Sequence, residues 1–336
     1  MILFEMDIIK QKNKGVLKMI KTRKVALVGT GFVGMSMVYA LLNRGTVDEI
    51  VLIDIAKDKT VGEAMDISHG IPFTAGDMKV KAGEYDDCKD ADVVVITAGV
   101  PQKPGQTRLE LAKTNTKIME DITKSVMASG FDGIFVIASN PVDLMSYVVQ
   151  KVSKLPKERV IGSGTLLDTA RLRYMLAERL HVSSKDVHAY IMGEHGDSSF
   201  FPWSHAYIGC KSLTKWYQEK GIDVNELEKI HEEVVQAAYE IINKKRATYY
   251  GIGVSLSRLV EAIFRDENAI LPVSTLINGE YGNEGIYIGV PAIIGKDGLK
   301  EIVQIELNEQ EQEKFNHSVQ TLKDMLHSEI EPLLNA

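Results

Sequence analysis

Residues 191–200, IMGEHGDSSF, set a histidine between two acids in a glycine-flanked turn that follows an apolar run. An imidazole ionises at about pH 6.5, so His195 in such a place is suited to give and take a proton. A packed structural histidine fits the same kind of turn, so the chemistry depends on what else reaches it. The stretch GSGTLLDTARLRYMLAERL, 162–180, reads as a helix with Leu172, Met175 and Leu176 on its buried stripe. Stepping back from that stripe by helical spacing reaches Asp168 and Arg171. Two opposite charges beside an apolar face can pair with each other. They can also take separate partners, Asp168 a histidine and Arg171 a substrate carboxylate held by a bidentate fork.

A second arginine, Arg108, lies in AGVPQKPGQTRLEL, 98–111, which leaves the C-terminal end of an apolar run. Pro101, Pro104 and Gly105 make this a loop, and loops of this kind serve as lids. SNPVD, 139–143, leaves another such run, so Asn140 is expected to face the same crevice. A solvated turn and an Asx-Pro turn are the plainer readings of these two stretches.

The elements that must position these residues alternate. KVALVG (24–29), EIVLID (49–54), DVVVITAG (92–99) and GIFVIAS (133–139) read as buried strands. Helical segments at 32–44, 57–69, 107–129 and 143–153 separate them, with Gly45 placed as a C-cap. Continuous Val/Ile runs alternating with helices predict an α/β fold, a parallel sheet covered on both faces. Near residue 155 the alternation breaks, which divides the chain into a doubly wound Rossmann domain at 21–162 and an α+β substrate domain at 163–336.

The first turn reads Gly29-Thr-Gly31-Phe-Val-Gly34, after a strand and at the start of a helix, with Asp54 ending the next strand 20 residues beyond Gly34. In that context the pattern predicts dinucleotide binding. Gly29 permits the tight turn, Gly31 admits the pyrophosphate to the backbone, and Gly34 lets helix and strand close up. The helix N-terminus receives the phosphates. Asp54 would accept from ribose hydroxyls and repel a 2′-phosphate, so NAD is expected rather than NADP.

Composition sets bounds on the rest. The 336 residues exceed a usual single core, and 45% hydrophobic with 25% charged content is ordinary for a soluble globular chain. A net charge of −7 argues against a nucleic-acid surface. Cys88 and Cys210 make neither a metal-type spacing nor a disulfide framework, as expected in a reducing cytoplasm. No apolar run approaches the roughly 20 residues that span a bilayer. Residues 1–20 are interrupted by Glu5, Asp7 and Lys10 and read as an N-terminal arm, or as an upstream start ahead of Met19.

Together these segments resemble the L-lactate and malate dehydrogenase family, and within it the bacterial L-lactate dehydrogenases. The resemblance runs from about Lys24 to the last helix. It rests on GTGFVG, the acid at 54, ITAGVPQKPGQTRLEL, SNPVD, GSGTLLDTARLR, GEHGD with WSH following, ATYYGIG and IYIGVPAIIG. It implies an NAD-dependent oxidoreductase that reduces pyruvate to L-lactate, the fermentative step after glycolysis. By resemblance His195 is the proton donor and acceptor, Asp168 its orienting carboxylate, Arg171 the clamp on the substrate carboxylate, and Arg108 the group that polarises the carbonyl. Asn140 is matched to a substrate contact, Thr248 to the pocket wall and Ile252 to the nicotinamide. Val33, Lys59, Tyr85, Gly99, Ser139 and Ser163 match other cofactor-side positions.

Gln102 bears on the substrate. The malate dehydrogenases of the family carry an arginine there for a second carboxylate, so a neutral amide implies pyruvate over oxaloacetate, because burying an unpaired charge costs several kcal/mol. Malate, a bulkier 2-hydroxy acid and a non-catalytic NAD-binding scaffold are the alternatives. GDSSFFPWSH sets its proline directly before Trp203, and KKRATYY is more basic than the family's usual form. Arg173 and His188 match positions that bind fructose 1,6-bisphosphate between subunits of allosteric relatives, which implies a homotetramer with that effector. No metal, nucleic acid or membrane is expected to take part.

Overall fold

The computed structural model describes residues 22–100, 108–223 and 225–334, and the side chains of 108–111 fall outside it. The expected arm 1–20 and Gln102 lie outside the described residues. The first half runs β1 (Lys24–Val28), α1 (Phe32–Arg44), β2 (Glu49–Ile53), α2 (Lys57–Gly70), β3 (Lys79–Ala82) and β4 (Val93–Ile96). It continues with α3 (Arg108–Ala128), β5 (Ile134–Ile137), α4 (Val142–Ser153) and β6 (Val160–Gly162). These strands pair in parallel in the order β3-β2-β1-β4-β5-β6. The order reverses at β1 and β4, and ligands of doubly wound sheets bind at that point, beyond the carboxyl ends of the strands.

Two strands depart from the sequence reading. β3 is KVKA, an edge strand with lysines on its exposed side, and it lacks the apolar run of its neighbours. β6 is three residues long, too short to signal itself, and it carries the strand–helix alternation past residue 155 to Gly162. The helix read over 162–180 therefore begins later, as α5 (Leu166–Leu180). Gly162 closes the strand, and Gly164 crosses the next strand so closely that a Cβ would lie 2.3 Å from the Ser274 nitrogen.

The second half extends the same sheet. β10 (Ala269–Asn278) pairs antiparallel with β6 through Ser274 and Gly162, and β11 (Glu284–Gly295) and β12 (Gly298–Ile302) follow. Among the described residues the sheet has nine strands, and the largest hydrophobic core runs along it through both halves. A second core, with Leu172, Leu176, Ile191, Ile230 and Val234, lies under α5, a small sheet of β7 (Val187–His188), β8 (Tyr207–Ile208) and β9 (Lys211–Ser212), and the helices α6 (Leu213–Lys220) and α7 (Glu226–Lys245). Next come α8 (Tyr250–Phe264) and α9 (Glu309–Met325). α8 crosses α1 at Gly253, where a Cβ would stand 2.5 Å from that of Ser36. Among the described residues no helix is long and apolar enough to cross a membrane.

Gly34 shows how tightly the first turn closes. A Cβ there would lie 2.4 Å from the Gly29 oxygen and 2.8 Å from Thr97 Oγ1. Gly34→Ala is expected to cost roughly 1–3 kcal/mol through overpacking, read as a lower urea midpoint. An unchanged midpoint would show that the turn has room to spare.

Candidate active site

The glycine turn and Asp54 form the first part of the site. Gly31 caps α1 without a side-chain hydrogen bond, the first turn of α1 carries no acid, and the space beside Gly31 is open to at least 4 Å. Amide N–H groups there are available to an anion. Asp54 accepts from the Thr30 amide at 2.7 Å and the Ala56 amide at 3.0 Å. Burial works to raise its pKa, but these amides, the Thr30 hydroxyl and Lys59 outweigh it and hold the carboxyl below its ordinary value. An anion beside an open helix N-terminus fits a dinucleotide whose ribose is unphosphorylated. Lys59 reaches the Thr30 carbonyl and pairs with Glu63 at 3.1 Å, which puts it at this turn.

The other cofactor-side candidates lie along the strand ends. Gly99 is exposed after β4, and Ser139, after β5, donates to the Ala98 carbonyl at 2.5 Å. Ser163 is buried after β6, Val33 is half-buried in α1 and Ile252 half-buried in α8. Tyr85 is half-buried near β2, with burial raising its phenol. Asn115 ties two ends together by accepting from the Val100 amide at 3.0 Å and donating to the Asn140 carbonyl at 2.8 Å. Asn140 itself is exposed at the head of α4.

The charged centre is assembled from α5 and the loop after β7. Asp168 Oδ2 lies 2.6 Å from His195 Nδ1, and Asp168 Oδ1 accepts from Arg171 at 3.0 Å. The sequence reading leaves open a mutual ion pair or separate partners for Asp168 and Arg171. The carboxylate does both, with one oxygen for each cation. Side-chain exposure is 13% for Asp168, 11% for Arg171 and 28% for His195, so the ring is the member of the trio most open to a ligand. An acceptor on Nδ1 fixes the proton there and leaves Nε2 as the nitrogen that exchanges.

The electrostatics follow from this sharing. The Asp168 carboxylate pushes His195 up to about 9 against the opposing effect of burial, with Asp143 raising it and Arg171 lowering it. Burial would raise Asp168, but His195 and Arg171 hold it below the usual carboxylate range. Asp143 is a residue that the sequence reading includes in SNPVD without assigning it. It is 2% exposed, accepts from the His195 amide at 2.9 Å and the Ser274 hydroxyl at 2.5 Å, and is pushed up to about 6 by burial. An acid just beyond a strand end was the available signal.

A cleft of about 200 Å3 opens beside Asp168, Arg171 and His195, walled by Val234, Val235 and Ala238 of α7. Tyr239 on the same helix donates to Asp197 at 3.1 Å across its rim. The sequence reading missed this wall because α7 carries no motif, only an amphipathic pattern. Thr248 is half-buried between α7 and α8, and Arg108 is the first residue of α3. Arg173 lies on another side of α5, donating to the Ala189 carbonyl at 3.0 Å with its guanidinium 5.1 Å over the Tyr190 ring. His188, on β7 directly before Ala189, is exposed. Among the described residues no cluster of three or more His, Cys, Asp or Glu could hold a metal ion.

A doubly wound sheet with this turn, joined to a carboxylate-backed histidine and an arginine, defines an NAD-dependent oxidoreductase that acts on a CH–OH group. The lactate/malate dehydrogenase NAD binding domain matches residues 23–162 and the lactate/malate dehydrogenase alpha/beta C-terminal domain residues 165–332, so the chain belongs to the lactate/malate dehydrogenase family. Among its relatives, L-lactate dehydrogenase 2 of Bacillus anthracis is 55% identical over 304 residues, 90% of this chain and 97% of the relative. L-lactate dehydrogenase 1 of the same organism is 52% identical over the same shares. Among solved structures, a lactate dehydrogenase enzyme from a Medee basin deep-sea metagenome library is similar with a TM-score of 0.90 and 52% identity, covering 92% of this chain and 99% of that one. The minor L-lactate dehydrogenase from Enterococcus mundtii in its ligands-bound form has a TM-score of 0.90 and 49% identity over the same shares.

The raised imidazole has a pH consequence. Its folded value of about 9 exceeds the unfolded value of about 6.5. Protonated His195 therefore stabilises the fold fully below about pH 6.5, and that contribution is lost as pH rises through about 9. A reaction that takes a proton from His195 should be flat at neutral pH and fall tenfold per unit above the same value. Asp168→Asn removes the main cause, so the alkaline limb of kcat/KM for the reductive reaction should move down by about two pH units. A limb left in place would show that Asp168 does not set the titration of His195.

Proposed function

We propose that the protein catalyses reversible hydride transfer between NADH and pyruvate, giving L-lactate and NAD+. The observation that carries this reading is the trio His195–Asp168–Arg171 at the edge of a cleft of about 200 Å3, a space suited to a three-carbon acid. When bound, the reduced dinucleotide supplies the hydride that reaches the carbonyl carbon. Arg171 holds the substrate carboxylate by its fork, so the carbonyl oxygen stands before His195 Nε2. His195 gives that oxygen its proton, and Asp168 keeps the imidazolium in place until the proton is given up. Arg108, at the base of the lid loop, polarises the carbonyl as charge builds on oxygen. Asn140 donates to the same oxygen, Thr248 closes the pocket and Ile252 backs the nicotinamide. In the oxidative direction neutral His195 takes the proton from the hydroxyl of lactate.

The cofactor contacts in this reading are Gly29, Gly31, Val33, Gly34 and Asp54 on the adenosine and diphosphate side, with Lys59 and Tyr85 beside them. Gly99, Ser139 and Ser163 flank the nicotinamide end. Gln102 offers a neutral amide where a second carboxylate would need a cation, which favours pyruvate over oxaloacetate. The enzyme works in the cytoplasm, consistent with a buried free Cys88 and an exposed free Cys210.

Assembly and regulation belong to the same proposal. The tie of Arg173 to Ala189 and Tyr190, the two residues after His188, supports a fixed cation near that histidine and away from the cleft. In a homotetramer, two-fold-related copies of these residues would repel until fructose 1,6-bisphosphate bridged them, a coupling of about 1–3 kcal/mol. The test is NADH oxidation against pyruvate, with and without the sugar bisphosphate, and against oxaloacetate. Pyruvate should be preferred and its KM lowered by the effector. Preference for oxaloacetate would overturn the substrate assignment, and superimposable pyruvate curves would remove the effector. Arg171→Lys keeps the charge but loses the fork, so pyruvate KM should rise by a factor on the order of ten or more. An unaltered KM would take Arg171 off the carboxylate.

A further inference from the structure

The loop that carries His195 is held by its backbone, residue by residue, on three different elements. Gly193 exchanges hydrogen bonds with Gly289 of β11, 2.9 Å in each direction. The Glu194 amide donates to Ser318 Oγ on α9 at 2.7 Å, and the His195 amide donates to Asp143 on α4. Gly193 sits at φ +99°, and a Cβ on it would lie 2.7 Å from Ser318 Oγ. The positive φ, together with the close approach of Ser318, favours a glycine at the start of the loop.

α9 presents a ladder to this loop. Glu311, Phe315 and Ser318 lie on one face of the helix and all are buried. Glu311 accepts from the Ser204 amide at 3.1 Å and hydroxyl at 2.6 Å, just after the Pro202-Trp203 step. Phe315 meets the Phe200 ring edge-on at 6.2 Å. Ser318 does more than support. Ser198 donates its hydroxyl proton to the Glu194 carboxylate, and Ser318 Oγ lies 3.1 Å from Ser198 Oγ. With the Ser198 proton committed, Ser318 is the donor of that pair, and its oxygen is left to accept the Glu194 amide. The bonds close a ring, from the Glu194 amide through Ser318 and Ser198 back to the Glu194 carboxylate. Each donor in such a ring polarises the next, and a carboxylate end strengthens them all.

We propose that Ser318 and Ser198 are positioning residues for the proton transfer, because this ring holds the amide and the side chain of Glu194, the residue directly before His195, and so sets the imidazole against Asp168. The inference rests on the function proposed above, and pyruvate reduction by the unaltered enzyme tests that function separately. Ser318→Ala removes one hydroxyl with little change of volume. It should lower kcat for pyruvate roughly ten- to hundredfold, since small misplacements of reacting groups cost that much. Pyruvate KM and NADH affinity should hold, because Arg171 and the glycine turn are untouched. The alkaline limb of the pH profile should move down by about one unit as the His195–Asp168 contact loosens. Ser198→Ala opens the same ring from its half-exposed side, so it decides the matter if Ser318→Ala does not fold. Where both fold, the double variant should lose no more than the worse single one, as expected for one unit. A soluble variant that melts lower but keeps kcat and the alkaline limb would reduce the ring to structural support and overturn the proposal. So would losses in the two single variants that simply multiply.

Discussion

One buried carboxylate, Asp168, serves two cations at once, and the site is arranged around that sharing. An anion at 13% exposure is stable there only because His195 takes one oxygen and Arg171 the other. The arrangement fixes the imidazole tautomer, raises its affinity for a proton and holds the arginine at the rim of the cleft. It also demands that α5 and the His195 loop meet within hydrogen-bond distance. That requirement is met by the hydrophobic core under α5, the loop and α7.

Asp143 extends the same logic into the sheet. It is buried more deeply than Asp168, and the Ser274 hydroxyl, the His195 amide and the nearby His195 charge do not outweigh that burial, so its pKa rises to about 6. Asp143 lies in the first half of the chain and both its partners in the second, Ser274 on β10 and the amide of His195. That convergence is possible because β10 pairs with β6 and carries the second half onto the sheet of the first. A carboxylate at the head of α4, a hydroxyl on β10 and the His195 loop then meet behind the cleft. The two halves share a sheet, so the glycine turn and the His195–Asp168 pair stand on one framework.

Much of this was legible in residue order. The apolar runs of β1, β2, β4 and β5 are long enough to announce buried parallel strands. The glycine turn announces itself because each glycine meets a local demand: Gly34 has no room for a side chain, and Gly31 faces open space. Helical spacing was enough to set Asp168 and Arg171 together, since i and i+3 are neighbours on any α-helix. β3 and β6 escaped notice because one is an edge with alternating lysines and the other is three residues long.

By itself the sequence therefore determined what depends on near neighbours in the chain: the strand–helix alternation, the glycine turn, the neighbouring charges on α5 and a histidine in a glycine-flanked loop. Only the tertiary structure decided which of these groups meet. His195 lies 27 residues from Asp168, and the Asp143–Ser274 bond joins residues 131 apart. The roles of Asp143 and Ser318, the wall that α7 lends to the cleft and the continuation of the sheet through β6 into β10 have the same origin. Local periodicity reports which face of an element is buried, but not what covers it. Contacts between distant segments are chosen by the packing of the whole core, and no short stretch of sequence carries that information.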